Sequence, residues 1–216
     1  MLQIAPSILS ADFLHLEKDV ALVNRCADLF HLDVMDGSLV PNISFGFPVV
    51  EAIASKARKP LDVHLMIVRP EKYVERFAAA GASMISFHYE AARERSGGVL
   101  SQIRSLGVKA GLALNPDCPV QEIFPFLHQL DFVLVMSVFA GFGGQRFIPE
   151  SLDRIRAVKE QLRSIGRGEV PVEVDGGIGP QNAAEVRAAG ADILVAGSAV
   201  FGAGNPEQAI RQLRGA

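Results

Sequence analysis

Residues 180–196, PQNAAEVRAAGADILVA, contain the unit that decides the fold of this chain. The first part is a helical segment from Pro180 to Ala189 that stops at Gly190, where helices commonly end on a left-handed residue. The last part, Ile193 to Ala196, is a short apolar run, as expected of a strand that is covered on both faces. The stretch therefore predicts a helix followed directly by a buried strand.

The same alternation extends along the whole chain. A second helix opens at Pro70-Glu71 and stops at Gly81, and the last one opens with Asn205-Pro206. Eight such units predict an α/β protein, a (β/α)₈ TIM barrel with residues 1–216 as a single domain. A doubly wound open sheet would show a similar alternation, but the strand count favours the barrel. The predicted strands are residues 4–9, 29–34, 61–66, 84–88, 109–114, 132–136, 172–174 and 193–196.

The overall composition narrows the class of protein. The net charge is −3 without a run of Lys or Arg, so we expect no nucleic-acid partner. No apolar run approaches the ~18 residues of a membrane span, and the start has no targeting pattern, so we expect no membrane partner either. The two cysteines, Cys26 in a predicted helix and Cys118 in a predicted loop, form no C-x-x-C pair, which favours the reducing cytoplasm. The exposed helices of a barrel could carry a homo-oligomeric interface.

Polar side chains stand at the carboxyl ends of three predicted strands, where barrels build their active sites. His31 and Asp33 lie two residues apart in strand two and therefore point the same way. His64 lies in strand three, and Asp175 ends strand seven. The sequence therefore predicts that these four side chains converge at the barrel mouth.

Two imidazoles and two carboxylates suit one divalent metal ion per subunit. Any one of these residues alone would more often be a hydrogen-bonded core residue. Four unpaired ionisable groups are costly to bury, however, and sharing a cation removes that cost. Zinc is the expected ion, and Mn²⁺, Fe²⁺ or Co²⁺ would also fit a mixed nitrogen and oxygen shell.

Asp33 and Asp175 have a second predicted role. Inverting a carbon next to a ketone requires a base on one face of that carbon and an acid on the other. Two carboxylates on opposite sides of one cavity meet this demand. A cation bound between them would stabilise the negative charge of the enediolate that forms.

Glycine-rich turns after strands six to eight predict a phosphate site. Glycine lets backbone N–H groups approach an anion closely, and a short helix at residues 198–201 would complete the site. No basic residue lies within these turns, although Arg146 follows the first of them. Three methionines at strand ends would form an apolar collar over the metal, although core filling explains any one of them equally well. The turns are Gly141-Phe142-Gly143-Gly144, Gly176-Gly177 and Gly197-Ser198, and the collar is Met35, Met66 and Met136.

Several segments together resemble the ribulose-phosphate 3-epimerase family. They follow that family's order and spacing from Ile4 to about Gly202. They depart from its pattern at Phe139-Ala140, where the family commonly has Asn-Pro, and at Ser38-Leu39, where it commonly has His-Phe. We expect these changes to affect the stiffness of the lid over the site and the substrate range. The matching segments are residues 4–12, 31–37, 40–42, 61–66, 141–145 and 173–177.

The resemblance implies a (β/α)₈ barrel that interconverts D-ribulose 5-phosphate and D-xylulose 5-phosphate in the pentose phosphate pathways. It implies a divalent metal on His31, Asp33, His64 and Asp175, with Asp33 and Asp175 as proton acceptor and donor. It also implies a set of residues that contact the sugar phosphate. These are Ser7, His64, Gly141, Phe142, Gly143, Gly144, Asp175, Gly176, Gly177, Gly197 and Ser198.

Three other functions compete with this interpretation. A hexulose 6-phosphate 3-epimerase would share the metal, the carboxylates and the phosphate site. A phosphate-binding barrel lyase or synthase gives no reason for the four metal-binding side chains. A silent sugar-phosphate-binding protein does not need an intact pair of acid–base carboxylates.

Overall fold

Eight parallel strands form the centre of the computed structural model, which describes residues 2–215. Each strand pairs with its neighbour in the order β1-β8-β7-β6-β5-β4-β3-β2. A parallel bridge between Ser7 and His31 then brings β1 against β2, so the sheet is nearly closed. The structure is a (β/α)₈ barrel, as predicted, and the open doubly wound sheet is excluded. The strands are β1 Gln3–Pro6, β2 Phe30–Met35, β3 Leu61–Met66, β4 Ala82–His88, β5 Lys109–Leu114, β6 Phe132–Met136, β7 Val172–Asp175 and β8 Ile193–Ala196.

Helices connect the strands and cover the outside of the barrel. The connection after β5 is a 3₁₀ helix, Val120–Gln129, which contains Pro125 and therefore lacks one backbone donor for an α-helical ladder. Shorter 3₁₀ turns occupy Ile8–Ser10, Pro70–Lys72 and Arg93–Arg95. The α-helices are α1 Leu16–Cys26, α2 Phe47–Ala54, α3 Val74–Ala79, α4 Tyr89–Ala92, α5 Ser96–Ser105, α6 Ser151–Ser164, α7 Ala183–Ala189, α8 Ser198–Phe201 and α9 Pro206–Arg214. Within residues 2–215, no helix has the length and apolar character needed to cross a membrane.

The predicted helix ends are confirmed where a specific residue marks them. Gly81 and Gly190 have φ values of 104° and 118°, in the left-handed region that stops a helix. Asn205 caps α9, because its side-chain oxygen accepts a hydrogen bond from the N–H of Gln208 at 3.0 Å. The helix predicted from Pro70 is divided into a 3₁₀ turn and α3, which begins at Val74.

The predicted first strand was too long. β1 ends at Pro6, and Ile8–Ser10 turns into a 3₁₀ helix instead of continuing the strand. Ile8 is fully buried in that turn, so its apolar character follows from packing under the barrel rim and not from strand pairing. An apolar run alone does not separate these two cases.

The barrel interior has an apolar half and a polar half. Ala5, Met84, Phe132 and Ile193 form a buried cluster inside the barrel. The ring of Phe132 occupies the space left by Gly111, where an added Cβ would lie 2.3 Å from that ring. Residues two apart point to the same face of a strand, and nearer the carboxyl ends of β2, β3 and β7 the inward-facing residues are polar.

Candidate active site

Four polar side chains meet inside the barrel near the carboxyl ends of its strands. His31 and Asp33 come from β2, His64 from β3 and Asp175 from β7, and each offers a nitrogen or oxygen atom within 4.8 Å of the others. His31, Asp33 and His64 are buried, whereas the side chain of Asp175 is 16% exposed. The structure therefore brings together the four residues that the sequence predicted would converge.

Strand register and alternation position these groups. Asp33 lies opposite His64 in the pairing of β2 with β3. One carboxylate oxygen of Asp33, Oδ1, lies 3.3 Å from Nε2 of His31 and 3.2 Å from Nδ1 of His64. The other oxygen accepts a 2.5 Å hydrogen bond from the hydroxyl of Ser7. Asp33 is therefore fixed from three sides at the centre of the cluster.

The donor set fits a divalent cation. Nδ1 of His31 is held 2.6 Å from a carboxylate oxygen of Asp62, which leaves Nε2 facing the cluster. That Nε2 is buried and has no hydrogen-bond partner within residues 2–215. A histidine whose second nitrogen is held by a carboxylate is a common arrangement around protein-bound metals. Together with Asp33, His64 and Asp175, His31 could hold such an ion.

Burial and charge shift the pKa values of Asp33 and Asp175 in opposite directions. Burial alone would raise the pKa of Asp33, but the charge of His31 and the nearby ring nitrogens of His31 and His64 hold it well below its usual range. Burial and the charge of Asp33 raise the pKa of Asp175 to about 7. Near neutral pH, Asp33 is therefore the ionised partner, and Asp175 is close to half protonated.

The histidines also have opposite pKa shifts. Burial disfavours a charged His31, but the carboxylates of Asp33 and Asp62 outweigh it and raise the pKa of His31 well above its usual value. Burial lowers the pKa of His64 to about 4, so His64 is neutral near pH 7. The cluster thus favours positive charge beside Asp33, which is what a bound cation would supply.

Three buried polar residues near the cluster were missed in the sequence. Asp62 and Glu173 each lie two residues before a predicted metal ligand, and His88 ends β4. All three are fully buried. Oε1 of Glu173 lies 3.4 Å from His31, and burial followed by the charge of Asp62 raises the pKa of Glu173 well above its usual value. The signal that could have found Asp62 and Glu173 is the two-residue spacing, which places them on the same strand face as the ligands.

A cavity opens above the cluster. Asp33 and Asp175 lie at its floor, and the three glycine-rich turns line its walls. His64 is the exception among the predicted substrate contacts, because its side chain is fully buried and does not line the cavity. The other predicted contacts on its lining are Ser7, Gly141, Phe142, Gly143, Gly144, Gly176, Gly177, Gly197 and Ser198.

Two of these glycines lie close to neighbouring groups, which are backbone atoms at Gly177 and a side chain at Gly197. Gly177 has a φ of 64°, and an added Cβ would lie 2.4 Å from the backbone nitrogen of Phe147. At Gly197 an added Cβ would lie 2.5 Å from the hydroxyl of Ser10. Gly197 directly precedes α8, the short helix that was predicted at residues 198–201. The turns after β7 and β8 therefore expose backbone where a side chain would otherwise stand.

Three methionines lie around the cavity as predicted. Met35, Met66 and Met136 all line it and are almost fully buried. Met35 and Met66 are paired in the register of β2 with β3 and pack with Val40. Apolar thioethers therefore border the polar cluster on the side of β2, β3 and β6.

Hydrogen bonds between side-chain amides and the backbone hold the loop after β6 in place. Asn42 donates a 2.7 Å hydrogen bond to the carbonyl of Gly141, and Gln145 donates one of 2.6 Å to the carbonyl of Phe139. The N–H of Ala140 donates to Oδ1 of Asn115 at 3.0 Å. A proline at position 140, as in the common pattern, has no N–H and could not make this bond. With Ala140 in place of a proline, a hydrogen bond to Asn115 restricts the loop instead of the proline ring.

The fold and the cavity are those of one class of enzyme. A parallel barrel with ionisable side chains and glycine turns at the carboxyl ends of its strands is the architecture of the TIM-barrel enzymes. The sequence profile of the ribulose-phosphate 3 epimerase family matches residues 3–201 of this chain. The chain belongs to that family, and it is an epimerase, an enzyme of the isomerase class.

Curated relatives agree with the family match. A ribulose-phosphate 3-epimerase of Synechocystis sp. is 51% identical over 98% of this chain and 92% of its own length. A ribulose-phosphate 3-epimerase of Bacillus subtilis is 46% identical over 100% of this chain and 99% of its own length. Among solved structures, KGPDC from Streptococcus mutans has a TM-score of 0.75, 14% identity, and coverage of 100% of this chain and 96% of that chain. At that identity the structural likeness supports the barrel fold alone.

Proposed function

We propose that this chain catalyses the reversible, metal-dependent epimerisation of D-ribulose 5-phosphate and D-xylulose 5-phosphate at carbon 3. The observation that carries the proposal is the convergence of Asp33 and Asp175, at the floor of one cavity, with the buried His31 and His64 beneath them. The names of the relatives support the substrate. The reaction belongs to the pentose phosphate pathway, and the cytoplasm remains the predicted compartment.

His31, Asp33, His64 and Asp175 would hold one divalent ion. When bound, the ion would stabilise the negative charge that develops on the substrate oxygens during proton removal. The buried Nε2 of His31, which has no other partner within residues 2–215, supports this assignment. We propose zinc, and Mn²⁺, Fe²⁺ and Co²⁺ suit the same ligands.

Asp33 and Asp175 would act as the two acid–base groups. Asp33 comes from β2 and Asp175 from β7, so a substrate that lies between these strands has one carboxylate on each face. Their pKa values are separated, with Asp33 well below its usual range and Asp175 raised to about 7. Such a separation lets one carboxylate accept a proton while the other donates one.

The phosphate group would bind to backbone N–H groups of the turns after β6, β7 and β8. Gly177 supports this, because its backbone lies too close to that of Phe147 for a side chain, and Gly197 directly precedes α8. No Lys or Arg among residues 2–215 lines the cavity. Ser198 would add a hydroxyl at the start of α8.

We predict that Arg146→Ala leaves the KM for ribulose 5-phosphate nearly unchanged. Arg146 is exposed and lies outside the cavity lining, although it directly follows the turn after β6. The measurement is steady-state kinetics of the variant beside the wild type. A strongly raised KM at unchanged kcat would show that Arg146 binds the phosphate and that the backbone site is wrong.

The substrate is tested by assaying one preparation on ribulose 5-phosphate and on a hexulose 6-phosphate such as allulose 6-phosphate. We expect the larger kcat/KM for the pentulose phosphate. A larger value for the hexulose phosphate would assign the chain to that substrate instead. Binding of both sugars without turnover in metal-loaded protein would indicate a silent binding protein.

A further inference from the structure

His88 and Glu90 lie beyond His64, on the side away from Asp33. Nε2 of His64 lies 2.9 Å from Nε2 of His88, at hydrogen-bond distance. His88 ends β4 and is fully buried. One of these two nitrogens must carry a proton and the other a lone pair, since a hydrogen bond needs one donor and one acceptor.

Glu90 lies next to His88, on the side away from His64. Its Oε2 lies 3.4 Å from Nδ1 of His88, and within residues 2–215 both atoms are buried without a hydrogen-bond partner. Its other oxygen, Oε1, accepts a 2.8 Å hydrogen bond from the N–H of Asn115. Burial would raise the pKa of Glu90, but interaction with His88 and the bond from Asn115 lower it below its usual value. Glu90 is therefore an anion that faces His88.

The charge of Glu90 determines which ring nitrogens of His88 and His64 carry protons. A carboxylate only accepts hydrogen bonds, so Nδ1 of His88 carries the proton that faces Glu90. Nε2 of His88 then has a lone pair and accepts the proton on Nε2 of His64. The remaining nitrogen of His64, Nδ1, is left with a lone pair, and this nitrogen faces Asp33 at 3.2 Å. The opposite arrangement would turn a proton of His64 towards Asp33, whose two oxygens already face Nε2 of His31 and the hydroxyl of Ser7. It would also set a lone pair of His88 against Oε2 of Glu90, which has no other donor within residues 2–215.

We infer that Glu90 and His88 are positioning residues that keep Nδ1 of His64 unprotonated and therefore ready to bind the metal ion. The inference rests on the metal site proposed above. A neutral histidine with a free lone pair is the form that binds a metal, and its second nitrogen is normally held by a hydrogen-bond partner. Asp62 holds His31 in the same manner, but through the opposite ring nitrogen.

Glu90→Gln is the variant that tests the inference. The glutamine has one carbonyl oxygen for two donors, the N–H of Asn115 and Nδ1–H of His88. If the oxygen stays with Asn115, the NH₂ group faces His88 and requires a lone pair on Nδ1, which reverses both imidazoles and protonates Nδ1 of His64. We expect the Kd for Zn²⁺ or Co²⁺ to rise about 10- to 100-fold, as for other partners of metal-binding histidines.

Glu122→Gln serves as the matched control. Glu122 is exposed and hydrogen-bonds Tyr89, so the variant removes the same charge from the neighbouring surface without touching His88. Metal affinity is measured by competition with a chelating indicator. The proton positions are read from ¹⁵N NMR of the histidine rings in metal-free protein. In the wild type we expect His64 to carry its proton on Nε2, and in Glu90→Gln on Nδ1.

The outcomes separate this inference from the proposed function. If the wild type binds no divalent ion, the proposed metal site fails, whatever the NMR shows. If the wild type binds the ion but carries the His64 proton on Nδ1 when metal-free, the inference is overturned without any variant being needed. It is also overturned if Glu90→Gln keeps the wild-type Kd, or weakens binding with the proton still on Nε2.

Discussion

Asp175→Asn should abolish epimerisation while the protein still folds. An asparagine amide is too weak an acid and too weak a base to exchange a proton with the substrate carbon, and loss of one general acid–base group costs about 10²- to 10⁴-fold in rate. The exposed edge of Asp175 at the cavity floor tolerates an isosteric amide, so we expect no loss of fold. Following the conversion of ribulose 5-phosphate by NMR in D₂O measures the effect.

The same experiment distinguishes the two carboxylates. Without Asp175, Asp33 can still exchange the C3 hydrogen of the epimer whose hydrogen faces it, provided the variant retains its metal. Asp33→Asn should exchange the C3 hydrogen of the other epimer. Each variant should therefore incorporate solvent deuterium into one sugar without forming the second.

Asp153→Asn is a control for the chemical change itself, because Asp153 is an exposed carboxylate on α6 that pairs with Arg156. It should behave as the wild type. The metal content of every variant is measured beside its rate, so that loss of the ion is not taken for loss of a base. Near wild-type interconversion by either active-site variant would show that one base suffices, and the two-base mechanism would have to be abandoned.

Removal of the metal ion should cause a second large loss of activity and leave the barrel folded. The four proposed metal-binding side chains would lose the charge that holds them together, and substrate proton removal would lose its electrostatic stabilisation. The apolar core between the strands and the helices does not involve these residues, so it should survive chelation. We expect activity to fall at least about 100-fold and to return on addition of Zn²⁺, Mn²⁺ or Co²⁺.

Circular dichroism and thermal unfolding of the chelated protein provide the matching control. Far-ultraviolet spectra should be unchanged, because the eight-stranded sheet and its helices remain. Full activity after exhaustive chelation, confirmed by metal analysis, would contradict the metal site. Unfolding on chelation would contradict the view that apolar burial holds the barrel together.

Much of this fold could be predicted because its strands are buried on both faces. Runs such as Leu61–Met66 and Ile193–Ala196 are largely apolar, and their bounds agree with the structure. Ile8 was misplaced in a strand because packing under the rim produces the same apolar signal as strand pairing. The 3₁₀ helix at Val120–Gln129 reflects the missing N–H of Pro125, a local effect that a helical pattern does not reveal.

The candidate site was predictable where two polar side chains lie two residues apart on one strand. His31 and Asp33 were found in this way, and the neighbours of His64 and Asp175 carried the same signal in Asp62 and Glu173. His88 and Glu90 are also two residues apart, but Glu90 lies beyond the end of β4, so strand alternation does not relate them. Their significance comes from the contact between β4 and β3. That contact exists only once the strands are paired.

The most direct test of the central claim is to incubate the metal-loaded wild-type protein with ribulose 5-phosphate in D₂O and examine carbon 3 of the product. The account predicts xylulose 5-phosphate that carries one solvent deuterium at C3, because one carboxylate removes the original hydrogen and the other delivers a different one. The same protein after chelation should produce neither the epimer nor the label. Formation of xylulose 5-phosphate that retains its original C3 hydrogen, or no turnover by the metal-loaded protein, would contradict the account.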